Sequence, residues 1–501
     1  MGEIQFAEPI IHRLQSFLTG KEAARSTIVS KSWHSAWLTR PNLDLDDTYF
    51  RVWEYRIDHS SVDKFRKYAK KTIKRYEQSS LQIGSFNLCM EMNQYGRTAL
   101  AKKLIVKALK IGATRLCVQL KRCDSFVLPN EVFGADNLVE LSVSGCTIKL
   151  DDGVVIKCRR LESLSIDDNV YITNLSLFPD IYPLGFRNSA MAVGLVDNLI
   201  PNLRCLVLSY TSFKPLYLGD LLYRFYFLKD FTLYLNRQSS NHFDTIFEEG
   251  IQISNCSLER IKLAMKGYPC YNYNDKVRRP RVKFDVPSVR EFTFEGAVIP
   301  ILSFMSTPPS REWESHLSIE CQQDGFSAVW FNELSELLTQ LSQSKTHLSL
   351  SVGDNTSSFN YKVGDKIVQG LRKHELENLT IDMTDLPSYS CYALFDGLFR
   401  LCRPKLITQY YEDDQQEYNR QTNIDFLCQI LEEGIKFKVS RPTQFMYGLN
   451  DLEEVNAQAF DVDEWKPIPF ESLLDDDAPD EHEHEQAKQR IRLLLKWKPS
   501  Y

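Results

Sequence analysis

Long apolar runs are missing from this 501-residue chain: no uncharged apolar stretch reaches the roughly 18 residues that a membrane-crossing helix requires. Its opening residues, with Glu3 and Glu8, lack the basic-then-apolar order of a secretory signal, so the expected location is the cytoplasm, the nucleus or both. Paired cysteines are missing too. The 12 cysteines contain no Cys-x-x-Cys, which argues against a zinc site and against a compact disulfide framework, and they read as reduced, mostly buried thiols. No Gly-x-x-x-x-Gly-Lys phosphate loop, Gly-x-Gly-x-x-Gly turn or Gly-x-Ser-x-Gly elbow occurs. The 9 histidines form no recognisable constellation. An enzyme would therefore have to bring acid, base and pocket together from distant positions. The expectation is a non-catalytic protein with no catalytic residues, no metal and no cofactor.

Excess positive charge is also lacking. A formal net charge of -6 counts against a protein whose main task is to grip a phosphate backbone. One local exception is the basic run Lys64, Arg66, Lys67, Lys70, Lys71, Lys74 and Arg75. It offers an alternative reading as a nucleic-acid or anionic-membrane patch. The weightier reading is an ordinary amphipathic helix, because Val62, Phe65, Tyr68, Ala69 and Ile73 fall at helical spacing and leave the charges on a solvated face.

What is present begins at residue 6. Ile10, Ile11, Leu14, Phe17 and Leu18 gather on one face of a helix. Thr19, with Glu22 three residues on, makes a capping box for a second. Trp33 and Trp37 make the ridge of a third. A module this short cannot bury so much apolar surface alone and needs another surface to finish it. This order of Ile-Ile, Leu, Ser-Phe-Leu, Lys-Glu-Ala and Val-Ser-Lys-x-Trp with a second Trp resembles the F-box of plant-type F-box/leucine-rich-repeat proteins. It departs from the family at its start, which is Phe6-Ala7-Glu8-Pro9 here and commonly Leu-Pro-x-Glu there.

Downstream, a six-residue core recurs. Leu138-x-x-Leu141-x-Val143-x-x-Cys146 and Leu161-x-x-Leu164-x-Ile166-x-x-Asn169 fit the leucine-rich-repeat template. Further copies are Leu203/Leu206/Leu208, Leu228/Phe231/Leu233, Leu258/Ile261/Leu263, Val289/Phe292/Phe294 and Leu376/Leu379/Ile381, with weaker ones at Leu317/Ile319 and Leu348/Leu350. Alternate strand residues would point inward, each repeat burying its leucines by stacking on the next. A 42-residue step from 161 to 203 marks an insertion. Helical spacing appears at 98–111, 220–226, 332–341 and 393–402. Between Asp451 and Glu485 stand 14 acids against one base, so part of that segment is expected to be a flexible loop. Alternation at Ile491, Leu493, Leu495 and Trp497 suggests a last strand closing the array.

The expected fold is α/β, an N-terminal three-helix F-box followed by an irregular leucine-rich-repeat solenoid with a parallel concave sheet and helices on the convex side. The expected domains are an F-box at 1–48, a divergent strand-helix repeat at 49–112, the solenoid at 113–410 and a capping region with an acidic flexible segment at 411–501. The resemblance implies a substrate receptor of an SCF-type cullin-RING ubiquitin ligase. Its F-box would dock on a Skp-type adaptor, carried by a cullin, through Phe6, Pro9, Ile10, Ile11, Leu14, Leu18, Val29, Lys31 and Trp33. A protein substrate would lie on the strand face, whose outward positions include Glu140, Ser142, Thr232, Tyr234, Arg260, Lys262, Glu291, Thr293, Glu295, Asn378 and Thr380. A small-molecule co-ligand there stays open. The alternatives are an adaptor-independent interaction scaffold and a nucleic-acid binder using 64–75.

Overall fold

The computed structural model describes residues 6–50, 59–92, 97–121, 126–149, 157–166, 171–173, 202–210, 222–223, 225–236, 250–266, 279–306, 313–321, 328–352, 373–382, 388–409, 427–432, 435, 449–461, 464–473 and 491–499. Most of the expected insertion, residues 220, 221 and 224 of the expected 220–226 helix, and the acidic tract at 475–485 lie outside them. The chain divides into two compact units, Met1–Gln238 and Ser239–Tyr501. Both mix helices with a sheet rich in parallel strands.

The first unit opens with three short helices, α1 (Glu8–Ser16), α2 (Gly20–Arg25) and α3 (Lys31–Thr39). Thr19 and Glu22 form the expected capping box: the Glu22 amide donates to Thr19 Oγ1 at 3.3 Å and the Thr19 amide to Glu22 Oε2 at 2.8 Å. Ser30 caps α3 through the Trp33 amide. The helices meet over a small core of Ile11, Ala23 and Ala36, and the buried Gln15 amide donates to Ser26 Oγ at 3.1 Å and to the Trp33 carbonyl at 3.2 Å. The apolar residues expected to share one face of α1, with a partner to cover them, thus divide between two sides. Ile11 and Gln15, four apart, turn inward, while Ile10, Leu14 and Phe17 stay exposed.

Strand β1 (Asn42–Asp46) leads into α4 (His59–Gln78), β2 (Ser85–Glu91), α5 (Arg97–Lys110), β3 (Arg115–Lys121) and β4 (Glu140–Ser144). Then come β5 (Thr147–Lys149), β6 (Ser163–Ile166), β7 (Tyr171–Thr173), β8 (Cys205–Tyr210) and β9 (Asp230–Asn236). β5 pairs with β7, and the others form a parallel ladder in the order β1-β2-β3-β4-β6-β8-β9. Its register stacks like on like: Leu43, Phe86, Leu116, Leu141, Leu164, Leu206 and Phe231 form one buried row. Leu45, Leu88, Val118, Val143, Ile166, Leu208 and Leu233 form the second. Period-two alternation puts both rows on the same side and the intervening polar residues on the other.

In α4, Phe65, Ala69, Ile73 and Tyr76 are buried while Lys64, Lys67, Lys70, Lys71 and Lys74 are exposed. Arg75 lies over the Trp37 ring, 5.4 Å from its centroid, and the Tyr76 hydroxyl donates to the Arg40 carbonyl, joining α4 to α3 and to β1. Gly112, at φ 101°, ends α5. Gly145, at φ 66°, is fixed by space as well: an added Cβ would run into the Leu120 carbonyl.

The second unit contains β10 (Ile251–Ser254), β11 (Arg260–Lys266), β12 (Arg281–Asp285), β13 (Glu291–Gly296), β14 (Ile301–Phe304), β15 (Glu314–Cys321), α6 (Ala328–Gln340) and β16 (Lys345–Val352). It continues with β17 (His374–Leu376), β18 (Asn378–Asp382), α7 (Ser388–Leu401), β19 (Cys402–Pro404), β20 (Leu406–Gln409), β21 (Leu452–Asp461), β22 (Glu464–Ile468) and β23 (Ile491–Trp497). The main sheet runs parallel through β11-β13-β15-β16-β18-β20 and turns antiparallel through β23, β21 and β22. Leu263, Phe294, Leu317, Leu348, Leu379 and Ile407 form its buried row. Across from it, β10, β12 and β14 make a small parallel layer, with Phe284 stacked on Phe304 at 4.9 Å and edge-on to Phe292 at 5.5 Å. The expected final strand is there, inserted between β20 and β21.

The acidic C-terminal stretch begins with β21 and β22, and the part of the expected flexible loop at 475–485 lies outside the described residues. Leu452, Val455, Ala457 and Ala459 are buried along β21 while Glu453 and Glu454 face solvent near Lys496. Alternation separates the charges from the core.

Candidate functional site

Two surfaces gather the residues singled out from the sequence. The first is on the N-terminal helices. Phe6 is 43% exposed, Ile10 50%, Leu14 41% and Val29 63%, and Pro9 and Lys31 are also exposed. Leu18 and Trp33 are half-buried. Ile11 is fully buried, so it supports the surface from beneath. Sequence reasoning left out two members of this patch, Phe17 at 71% and Ile28 at 90% exposure. Phe17 belongs to the single apolar face that the sequence shows, and the structure divides that face, with Ile11 and Gln15 buried and Phe17 exposed.

Hydrogen bonds hold these helices in place. His12 Nε2 lies 3.0 Å from both the Ala36 carbonyl and Thr39 Oγ1, and Thr39 Oγ1 donates to Glu8 Oε1 at 2.7 Å. α1 and α3 are thereby locked, and the exposed apolar side chains stand on a fixed frame. So many exposed large apolar side chains on one short module point to a surface that a partner covers.

The second surface is the outward side of the sheets. In the first unit, Glu140 and Ser142 lie beside Arg115 and Cys117, and the Ser142 position continues through Ser165 and Val207 to Thr232. Tyr234 lies two residues further on the same side of β9. Arg115 and Glu140 approach to 3.6 Å. Burial pushes the Cys117 thiol up, opposed by its hydrogen bond to Ser142.

In the second unit, Arg260 and Glu291 extend through Glu314 to Lys345, and Lys262 and Thr293 extend through His316 and His347 to Asn378. Glu295 continues through Ser318 and Ser349 to Thr380. Lys262 pairs with Glu295. Asn378, Thr380 and Thr408 form a hydrogen-bonded triad, with 2.8 Å between the two threonine hydroxyls. His316 and His347 stack at 4.8 Å, and burial, helped by the neighbouring His316, lowers the His347 pKa. The surface carries both signs of charge and many hydroxyls, which suits a polypeptide better than an apolar ligand. Among the described residues no group of three or more His, Cys, Asp or Glu is placed to hold a metal ion, and no helix is long and apolar enough to cross a membrane.

Comparison with known proteins adds two relatives from Arabidopsis thaliana. The chain is 22% identical over 175 residues to an FBD-associated F-box protein, a match covering 34% of this chain and 35% of the relative. It is 26% identical over 144 residues to an F-box/LRR-repeat protein, covering 27% of this chain and 26% of that one. The chain thus matches about a third or less of either relative's length. No family model matches, and no solved structure does.

Proposed function

We propose that this chain, similar as it is to plant F-box proteins of the leucine-rich-repeat type, is a substrate-recognition subunit of an SCF-type cullin-RING ubiquitin ligase. In this reading residues 1–48 are an F-box, 49–112 a divergent first repeat, 113–410 a leucine-rich-repeat solenoid and 411–501 its cap. α1 to α3 dock a Skp-type adaptor, and the outward strand residues hold a protein substrate. The observation that carries the proposal is the exposed apolar set Phe6, Ile10, Leu14, Phe17, Ile28 and Val29 on a helical frame too small to cover it.

The chain performs no bond chemistry in this scheme. It binds adaptor and substrate at once and raises the effective concentration of substrate near the charged conjugating enzyme. That work belongs in the cytoplasm or nucleus. The test is pull-down with a purified Skp-type adaptor, using the full chain. Wild type should be retained, and Ile10→Asp with Leu14→Asp should not. Equal retention of both would sink the adaptor role and leave an adaptor-independent scaffold.

A further inference from the structure

Where the α1–α2 link meets the first strands, the first unit contains a pocket of about 490 Å³ that borders both surfaces above, sharing Phe17 with one and Cys117 with the other. Its wall is the turn Phe17-Leu18-Thr19-Gly20 and its floor the outward side of β1, β2 and β3. Register puts Asp44 beside Asn87 and Cys117, and Asp46 beside Cys89 and Gln119, so the floor continues the polar side of the sheet. Gly20 allows the close approach, since an added Cβ would stand 3.1 Å from Asp44 Cβ.

The two carboxylates differ in their partners. Asp44 is engaged by Arg40 and accepts a hydrogen bond from Asn87 Nδ2 at 2.6 Å. Asp46 accepts only the Thr48 amide at 2.8 Å and the Thr48 hydroxyl at 2.7 Å, both on Oδ1, and has no cationic partner among the described residues. Among the described residues, then, the Asp46 carboxylate stands without a cation beside an apolar wall. Arg13 already sits over one ring of that wall, with Cζ 4.8 Å from the Phe17 centroid. Tyr49, also in the lining, feels the same field: burial first, then Asp46 and Asp44, raise its pKa.

We propose that this pocket binds an organic cation, a guanidinium or primary ammonium carried on an aliphatic stem, with Asp46 as its counter-ion and Phe17 and Leu18 packing against the stem. The volume is within the range of roughly 300–1,000 Å³ usual for such sites and exceeds what a single water or metal ion requires. A long flexible stem with a charged head matches a site that is apolar on one wall and acidic on its floor. The inference rests on the pocket alone and needs neither the adaptor nor the ligase reading. A basic side chain on a polypeptide and a free amine share this chemistry.

The test uses the full chain and ligand-observed NMR with three probes. These are the blocked pentapeptide Gly-Gly-Arg-Gly-Gly, its citrulline counterpart and agmatine. The arginine peptide should bind at least about tenfold tighter than the citrulline peptide, a difference that added salt erodes. Asp46→Asn, which keeps the acceptor for Thr48, should abolish that preference with an unchanged melting temperature. Binding of agmatine without the peptide would assign the site to free amines. Equal binding of arginine and citrulline peptides, an arginine preference surviving Asp46→Asn, or no binding by any probe at about 10 mM would each overturn the proposal.

Discussion

Ile10 and Ile11 are neighbours in sequence with the same side chain and opposite surroundings, which makes them an internal control for the adaptor surface. Ile10 is 50% exposed and Ile11 is fully buried. Desolvating a whole side chain of this size is worth about 1.5–3 kcal/mol, so covering the exposed half of Ile10 is worth about 0.8–1.5 kcal/mol. Ile10→Ala should therefore weaken adaptor binding by about four- to thirteenfold and leave the melting temperature unchanged. Ile11→Ala removes packing from the small core with Ala23 and Ala36, at a cost of about 2–5 kcal/mol of stability. Isothermal titration with purified adaptor gives the first quantity and thermal melting the second. If Ile10→Ala lowered the melting temperature while leaving adaptor affinity within about twofold, the assignment of the two faces would be refuted.

Three further outcomes are expected. Asp47 and Arg97 form a pair in which each side chain is 3% exposed, so Arg97→Met alone should destabilise by about 3–5 kcal/mol while the double variant with Asp47→Leu recovers much of that, read by urea melts of single and double variants. Asp451 lies below its ordinary 3.8 because it accepts hydrogen bonds from Lys373 first and then Arg403, so the stability it contributes is complete above that value and lost as pH falls through the lowered one. The melting temperatures of wild type and Asp451→Asn should therefore differ at pH 6 and converge on acidification, and a gap that widens toward acid would contradict the pairing. Finally, burial pushes the Cys158 thiol up to about 11 and Cys402 up to about 12, whereas Cys256 is exposed, so site-resolved alkylation of the native chain at neutral pH should label Cys256 well before the other two.

Much of the sheet was legible because its strands bury two alternate apolar residues, and that pattern is written directly as Leu-x-Leu. The copies that looked weak, around Leu317 and Leu348, fall short for a physical reason. The inward position that Ile261 and Phe292 occupy in β11 and β13 is taken by Ser315 and Thr346 in β15 and β16. Both are buried, at 0% and 4% exposure, and tolerate it because Ser315 Oγ donates to Thr346 Oγ1 at 3.0 Å. A motif scan scores such a rung as polar, although hydrogen bonding across the rung makes it core. The outward residues Glu314, His316, Lys345 and His347 escaped notice for the same reason, since they lie on those two strands. β1 escaped because Asn42-Leu43-Asp44-Leu45-Asp46 is short and acidic, and only its pairing with β2 identifies it as a strand. In α1 periodicity located the apolar residues correctly but could not say which side of the helix faces the bundle, since Gln15 sits among the buried ones.

The place of β23 between β20 and β21 has a consequence for how the C-terminal end is assembled. Among the described strands of the main sheet, β21 and β22 reach the parallel array by way of 491–497, so a hairpin formed earlier has no described rung to join until that strand arrives. Loosening that one strand, for instance through Leu493, would leave β21 and β22 tied to the parallel array through contacts such as Asp451 with Lys373 and Arg403, and bare the rim of β20.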